Sequence, residues 1–139
     1  MPLLWADGGS ATQRTSTDYD LTSQAGVDAL GETGCTSVSG YLYIEGESDI
    51  TNQDGLANIT SIGTWLDIRE SDALTNLEGL ANITSVGSPV NIYRNTSLTG
   101  LEGLRNLVSI GAQLEIEQNA ALKNLDGLRN LTSIGGGGY

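Results

Sequence analysis

The chain repeats itself every 24 residues, four times and without insertion or deletion, from about residue 40 to residue 135. Superposition gives the register. Leu42, Leu66, Val90 and Leu114 share one column, and Ile44, Ile68, Ile92 and Ile116 the next but one. Four further apolar columns keep step: Ile50, Leu74, Leu98 and Leu122; Leu56, Leu80, Leu104 and Leu128; Ile59, Ile83, Leu107 and Leu131; Ile62, Val86, Ile110 and Ile134. Gly55, Gly79, Gly103 and Gly127 recur at the same offset, as do Asn58, Asn82, Asn106 and Asn130. Branched aliphatics held in phase at this period are the signature of a solenoid.

Each repeat has the same internal grammar. Leu66-Asp67-Ile68 alternates apolar and polar residues with period two, the pattern of a half-buried strand, and stacking the units makes a parallel sheet. A polar turn follows, with Glu47, Ser71, Asn95 and Asn119 at one offset, and Asn suits a turn by bonding local backbone groups. The second half, such as residues 101–111, adds two inward positions and a closing Gly that permits a tight corner. Units stacked about 4.8 Å apart span roughly 19 Å over four repeats. None buries its aliphatics alone, so the units share one core of six apolar columns.

The array needs a cover at its start, because the first unit otherwise exposes its cross-section and strand edge. Residues 20–39 read as that capping segment. Ser23 is the expected N-cap of a short helix over residues 24–30, with Val27 and Leu30 at helical spacing and Gly31 and Gly34 ending it. Residues 1–19, rich in Gly, Ser, Thr and Asp beyond the apolar Met1 to Trp5, read as a disordered leader or linker, and Met1 to Trp5 lacks the features of a signal peptide. Residues 40–139 hold the four repeats and the start of a fifth, with Gly138 where the leucine column would continue. Further repeats or domains are expected C-terminally in the intact protein, and the chain as given is expected to fray or self-associate from its Tyr139 end.

Charge and residue content narrow the function. Seventeen Asp and Glu against six Lys and Arg give a formal net charge of −11, which argues against nucleic acid or an anionic membrane as partner. With no His, the commonest general base and transition-metal ligand are missing. Cys35 is the sole cysteine, so no internal disulfide forms, and a small buried thiol is expected. No apolar run approaches membrane-spanning length. Neither a cofactor nor a metal is expected.

The segment from Cys35 to Ile44, followed by Leu-x-Gly-Leu-x-Asn-Leu-x-Ser-Ile-Gly as in residues 101–111, resembles the receptor L domain, a leucine-rich repeat module. The likeness covers about residues 20–139 and is strongest to the regular arrays of this module in secreted or surface proteins of microbes. There a short helix and a Gly-Cys-x-x-x-x-Gly segment, here Gly34 to Gly40, often open the array. The resemblance implies a right-handed, β-helix-like solenoid of parallel strands, binding rather than catalysis, and an extracellular or cell-surface location. Hormone or growth-factor binding does not carry over, since the chain has one cysteine and neither a cysteine-rich neighbour nor a kinase.

With the Leu-x-Ile residues inward, their neighbours point outward. That face holds Tyr41, Tyr43 and Glu45, then Trp65, Asp67 and Arg69, then Pro89, Asn91 and Tyr93, then Gln113, Glu115 and Glu117. Tyr41, Tyr43, Trp65, Asp67, Arg69, Tyr93 and Glu115 are the candidate ligand-binding residues, because exposed Tyr and Trp suit protein hot spots and sugar stacking. The competing explanation is that aromatics favour strands, where they shield neighbours.

Other ladders have structural explanations. Asp54, Glu78, Glu102 and Asp126 place one carboxylate per unit, suited to accepting a backbone N–H at the start of a turn, with Arg105 and Arg129 three residues after the last two. Thr60, Thr84 and Thr132, with Ser61, Ser85, Ser109 and Ser133 beside them, invite an ice-binding reading, but such hydroxyls also bond one another and the corner backbone. Of the four sequons, at Asn58, Asn82, Asn95 and Asn130, the one at Asn95 lies in the variable turn and is the expected glycan acceptor.

The leading expectation is a non-catalytic recognition or adhesion module binding a protein or glycan through its strand face. A spacer solenoid without a ligand is the alternative. A polysaccharide-active β-helix enzyme ranks below both, since a catalytic cluster should break the repeat and none does.

Overall fold

The computed structural model describes residues 15, 16 and 18–135. Short parallel strands repeat through it in two sheets. The six-stranded sheet is built from two-residue strands: β1 (Thr15–Ser16), β3 (Ser37–Val38), β5 (Ser61–Ile62), β7 (Ser85–Val86), β9 (Ser109–Ile110) and β11 (Ser133–Ile134), in that order. The five-stranded sheet runs β2 (Tyr19–Leu21), β4 (Leu42–Ile44), β6 (Leu66–Arg69), β8 (Val90–Tyr93) and β10 (Leu114–Glu117). Leu42, Leu66, Val90 and Leu114 pair in series, so the columns read from the sequence are the hydrogen-bonding register. After β4, β6, β8 and β10 the chain passes a one-turn 3-10 helix, at Asp54–Leu56, Glu78–Leu80, Glu102–Leu104 and Asp126–Leu128. This is the arrangement that stacked repeats require.

The helix α1 (Gln24–Glu32) starts where expected, with Ser23 Oγ accepting the Gly26 N–H at 3.0 Å. It buries Val27 and Leu30 and packs on the Asp54–Leu56 turn, standing where an earlier repeat would place its own 3-10 helix. Gly31 does not end it. Gly31 is a contact residue: a Cβ there would lie 2.7 Å from Gly55 Cα. The left-handed exit is at Gly34, with φ 73°. β1 and the first residue of β2 fall before residue 20, so Thr15, Ser16 and Tyr19 belong to the sheets rather than to a leader; they pair the edge that the first repeat would leave open. Residues 1–14 and 17 of the expected leader and 136–139 of the expected fifth repeat lie outside the described residues.

All six expected columns are buried through the first three repeats, and a seventh joins them. Gln53, Leu77 and Leu101 are buried at its first three positions, while Leu125 is 53% exposed. The column escapes a search for aliphatics because it opens with a glutamine. Exposure rises along the last repeat, where Leu114, Ile116, Leu122, Leu128 and Leu131 are only partly covered and Ile134 is 40% exposed.

The closing glycines act by close approach rather than by an unusual backbone conformation. A Cβ on Gly63, Gly87 or Gly111 would run into the carbonyl of Ser39, Gly63 or Gly87 in the preceding unit. The left-handed positions fall elsewhere, on Glu47, Glu70, Arg94 and Gln118 (φ 48°, 50°, 58° and 60°).

Those four residues precede or occupy the polar turn, whose inner positions form a ladder between units. Ser71 Oγ accepts the Gly46 N–H, Asn95 Oδ1 accepts the Ser71 N–H, and Asn119 Oδ1 accepts the Asn95 N–H, at 3.0, 3.1 and 2.9 Å. Asn95 and Asn119 also donate through Nδ2 to the carbonyls of Ile68 and Ile92. These side chains serve the neighbouring unit, not only their own turn. Asn95 is fully buried, so the expected glycan acceptor is instead a core residue.

Candidate functional site

The outward face of the five-stranded sheet brings most of the candidate residues together in two groups. Tyr41 and Trp65, adjacent across β4 and β6, stack with ring centroids 4.6 Å apart and planes 5° from parallel. Both precede an inward leucine at the same offset, so the register stacks them. Tyr41 is anchored further by its hydroxyl, which donates to Asp20 Oδ2 at 3.3 Å. That bond to a carboxylate raises the Tyr41 pKa above its ordinary value.

The second group centres on Arg69. Its Nε and Nη2 donate to the two carboxylate oxygens of Asp67 at 2.8 and 2.6 Å, a bidentate pair formed two residues apart on one face of β6. The hydrogen bonds to Asp67 raise the guanidinium pKa above its ordinary value. The guanidinium carbon lies 5.6 Å from the ring centroids of both Tyr43 and Tyr93, within cation–π range. Arg94 approaches Tyr93 at 5.2 Å. The Tyr43 hydroxyl donates to Glu45 Oε1 at 2.6 Å, and the hydrogen bond to that carboxylate pushes its pKa up to about 12.

Asp67 is only 4% exposed, although its place in the alternation is an outward one. Neighbouring side chains cover it, and it serves to position Arg69. Glu115 is exposed and lies opposite Asn91 in the register. It borders a shallow hollow of about 270 Å³ with Arg69, Asn91, Tyr93 and Glu117, where Asn91 Oδ1 is buried without a hydrogen-bond partner. Arg94 was not among the candidates read from the sequence. It sits at the left-handed turn position, whose occupants Glu70, Arg94 and Gln118 share no chemical type.

The other ladders serve the repeat itself, within a unit or between units. At the 3-10 turns, Asn52, Asn76 and Asn124 Oδ1 accept the N–H of Asp54, Glu78 and Asp126 at 2.9 to 3.0 Å. The bond expected of the carboxylates is thus made by the residue two positions earlier. Arg105 pairs with Glu78 of the preceding unit at 2.8 Å rather than with the Glu102 carboxylate. Thr60, Thr84 and Thr132 donate to carbonyls of the unit before, at 3.2 to 3.3 Å, and not to one another. Asn82, Asn106 and Asn130 likewise donate to the carbonyls of Ala57, Ala81 and Arg105.

Cys35 is buried, and its thiol donates to the Ser37 carbonyl at 3.2 Å. Among the described residues, no group of three or more Cys, Asp or Glu side chains is placed to hold a metal ion, and no helix is long and apolar enough to cross a membrane. No protein-family model, curated protein or solved structure matches this chain.

Proposed function

We propose that the chain is a non-catalytic recognition module, a right-handed leucine-rich solenoid of the receptor L-domain type, displayed on a cell surface or secreted, that binds a protein or glycan through its strand face. The observation that carries this reading is the Tyr41–Trp65 stack beside an Arg69 lodged between Tyr43 and Tyr93. Such a face presents apolar area and polar edges on a rigid sheet, with little side-chain freedom left to lose on binding. A spacer role is the second reading, favoured by the internal pairing of Asp67 with Arg69 and of Tyr43 with Glu45, which leaves fewer polar groups to seek a ligand. A screen of the full chain against glycans and cell-surface proteins separates the two. Saturable binding lost in a folded Tyr41→Ala, Trp65→Ala, Tyr93→Ala variant supports recognition, and its absence in a folded chain supports the spacer.

A further inference from the structure

Four Asn-x-Ser/Thr sequons lie in the chain, and the fold treats their asparagines in three ways. Asn95 is fully buried in the turn ladder, with both ends of its amide bonded. Asn82 and Asn130 are exposed, but their Nδ2 groups donate to the Ala57 and Arg105 carbonyls of the preceding unit at 2.6 and 2.7 Å. Asn58 is exposed, and its side-chain amide bonds to no group among the described residues. It lies between the Asp54–Leu56 turn and β5, outside the five-stranded sheet that carries the aromatic face.

The exception has a physical cause. Each bonded asparagine of this column reaches back 25 residues to a carbonyl of the unit before. For Asn58 that position is Thr33, which belongs to no repeat: it is the C-cap of α1, with its N–H and its hydroxyl both turned to the Leu30 carbonyl. The helix replaces an earlier unit in packing without reproducing that unit's carbonyl, and Asn58 lacks the acceptor its successors use.

We propose that Asn58 is the glycan acceptor of this chain, the sequon whose N-linked oligosaccharide the folded solenoid carries without loss of stability. In the reaction a transferase sets the amide nitrogen against the anomeric carbon of an oligosaccharide held on a polyprenyl diphosphate. The nitrogen–carbon bond forms as the carbon–oxygen bond breaks, the diphosphate leaves with the electron pair, and the nitrogen gives up one of its two protons. Transfer to an unfolded chain meets four similar sequons, so the fold acts afterwards, by deciding which product it accepts. A sugar on Asn95 has no room in the core. On Asn82 or Asn130 it replaces an N–H on a nitrogen already in contact with the neighbouring unit and disturbs that bond. On Asn58 it displaces no partner and extends into water.

The test uses the full chain secreted from a glycosylating eukaryotic host behind a cleavable signal. The inference rests on the secreted or surface-displayed reading, and because the host supplies that pathway, failure here counts against the site and not against the location. Replacing the sequon Thr by Val removes the sequon and keeps its asparagine, and the repeat already accepts valine there, at Val108. Peptide mass spectrometry of the secreted wild type should find Asn58 glycosylated in most molecules and Asn95 in none, with the Asn58 glycan lost in Thr60→Val. Two further variants keep one sequon each: Thr84→Val/Ser97→Ala/Thr132→Val keeps that of Asn58, and Thr60→Val/Ser97→Ala/Thr132→Val keeps that of Asn82. Glycosylated, the Asn58 variant should melt within about 1 °C of the same chain made bare in bacteria, and the Asn82 variant about 3 °C or more below its own bare form. An Asn82 variant withheld from secretion once glycosylated gives the same answer. Asn58 left bare in the secreted wild type, or equal effects of the two glycans on melting, overturns the proposal.

Discussion

The side-chain amide of Gln53 bridges two points of the next unit: Oε1 accepts the Gly79 N–H at 3.1 Å, and Nε2 donates to the Asn76 carbonyl at 3.0 Å. Gln53 occupies the place of Leu77 and Leu101 in the following repeats and is as buried as they are. Truncation to Ala should cost about 2–4 kcal/mol, from the cavity and the buried Gly79 N–H left unpaired. Gln53→Leu should fall within about 1 kcal/mol of wild type, because the repeat already accepts Leu there and the gain in apolar burial offsets the lost bonds. Urea unfolding of the two variants measures both, and a Leu variant as damaged as the Ala variant would show that the bridge outweighs the packing.

Asn95 satisfies the Ser71 N–H and the Ile68 carbonyl at once, from a fully buried position. Asn95→Ala should therefore destabilise by about 3 kcal/mol or more, and Asn95→Asp should not rescue it, since a carboxylate cannot donate to Ile68. In a glycosylating secretory host, peptide mass spectrometry should find Asn95 unmodified. A glycan on Asn95 of the folded protein would contradict the buried ladder.

Two glycines should respond in opposite directions to the same change. Gly87→Ala sets a Cβ against the Gly63 carbonyl and should cost about 1–3 kcal/mol by forcing two units apart. Gly26→Ala lies inside α1, where the nearest atoms are Ser23 Oγ at 3.4 Å and Leu21 Cδ2 at 3.8 Å, so it should stabilise by about 0.5–1 kcal/mol. Thermal melts of the pair provide the comparison.

Tyr43 gives the strand face a signature at high pH. Its folded value of about 12 lies above that of a free phenol near 10, so the stabilisation from its bond to Glu45 is complete below about pH 10 and is lost as the pH rises to 12. Ultraviolet titration of phenolate should show a late-ionising tyrosine that disappears in Tyr43→Phe and shifts to lower pH in Glu45→Gln. An unchanged profile in Glu45→Gln would separate Tyr43 from that carboxylate.

The sequence made the strand register legible because branched aliphatics must alternate with polar residues wherever one sheet face is buried, and 24-residue spacing leaves no freedom to slip. It also made Ser23 legible, since an N-cap acts within three residues. Asn95 was misjudged because a turn asparagine bonded locally and one bonded to the neighbouring unit have the same sequence context; only the stacking tells them apart. Gln53 was hidden by its polarity, and Gly31 by the habit of treating glycine in a helix as a stop. On the candidate face, the column gave the positions of Tyr41 and Trp65 but not their stacking. The burial of Asp67 by its neighbours and the approach of Arg94 to Tyr93 depend on side-chain reach, which a repeat pattern does not encode.

The hydrogen bonds between units, from Tyr41–Asp20 to Asn52–Gln24, join residues 21 to 28 apart. Each repeat thus speaks only to the one before and the one after. An interior unit copied or lost as a whole block would create junctions between units that already carry matching columns, whereas gain or loss of a single residue would throw every downstream column out of phase. A chain built this way can change its length in steps of 24 and in almost no other increment, so its natural route to a larger surface is duplication of the unit rather than growth of a loop.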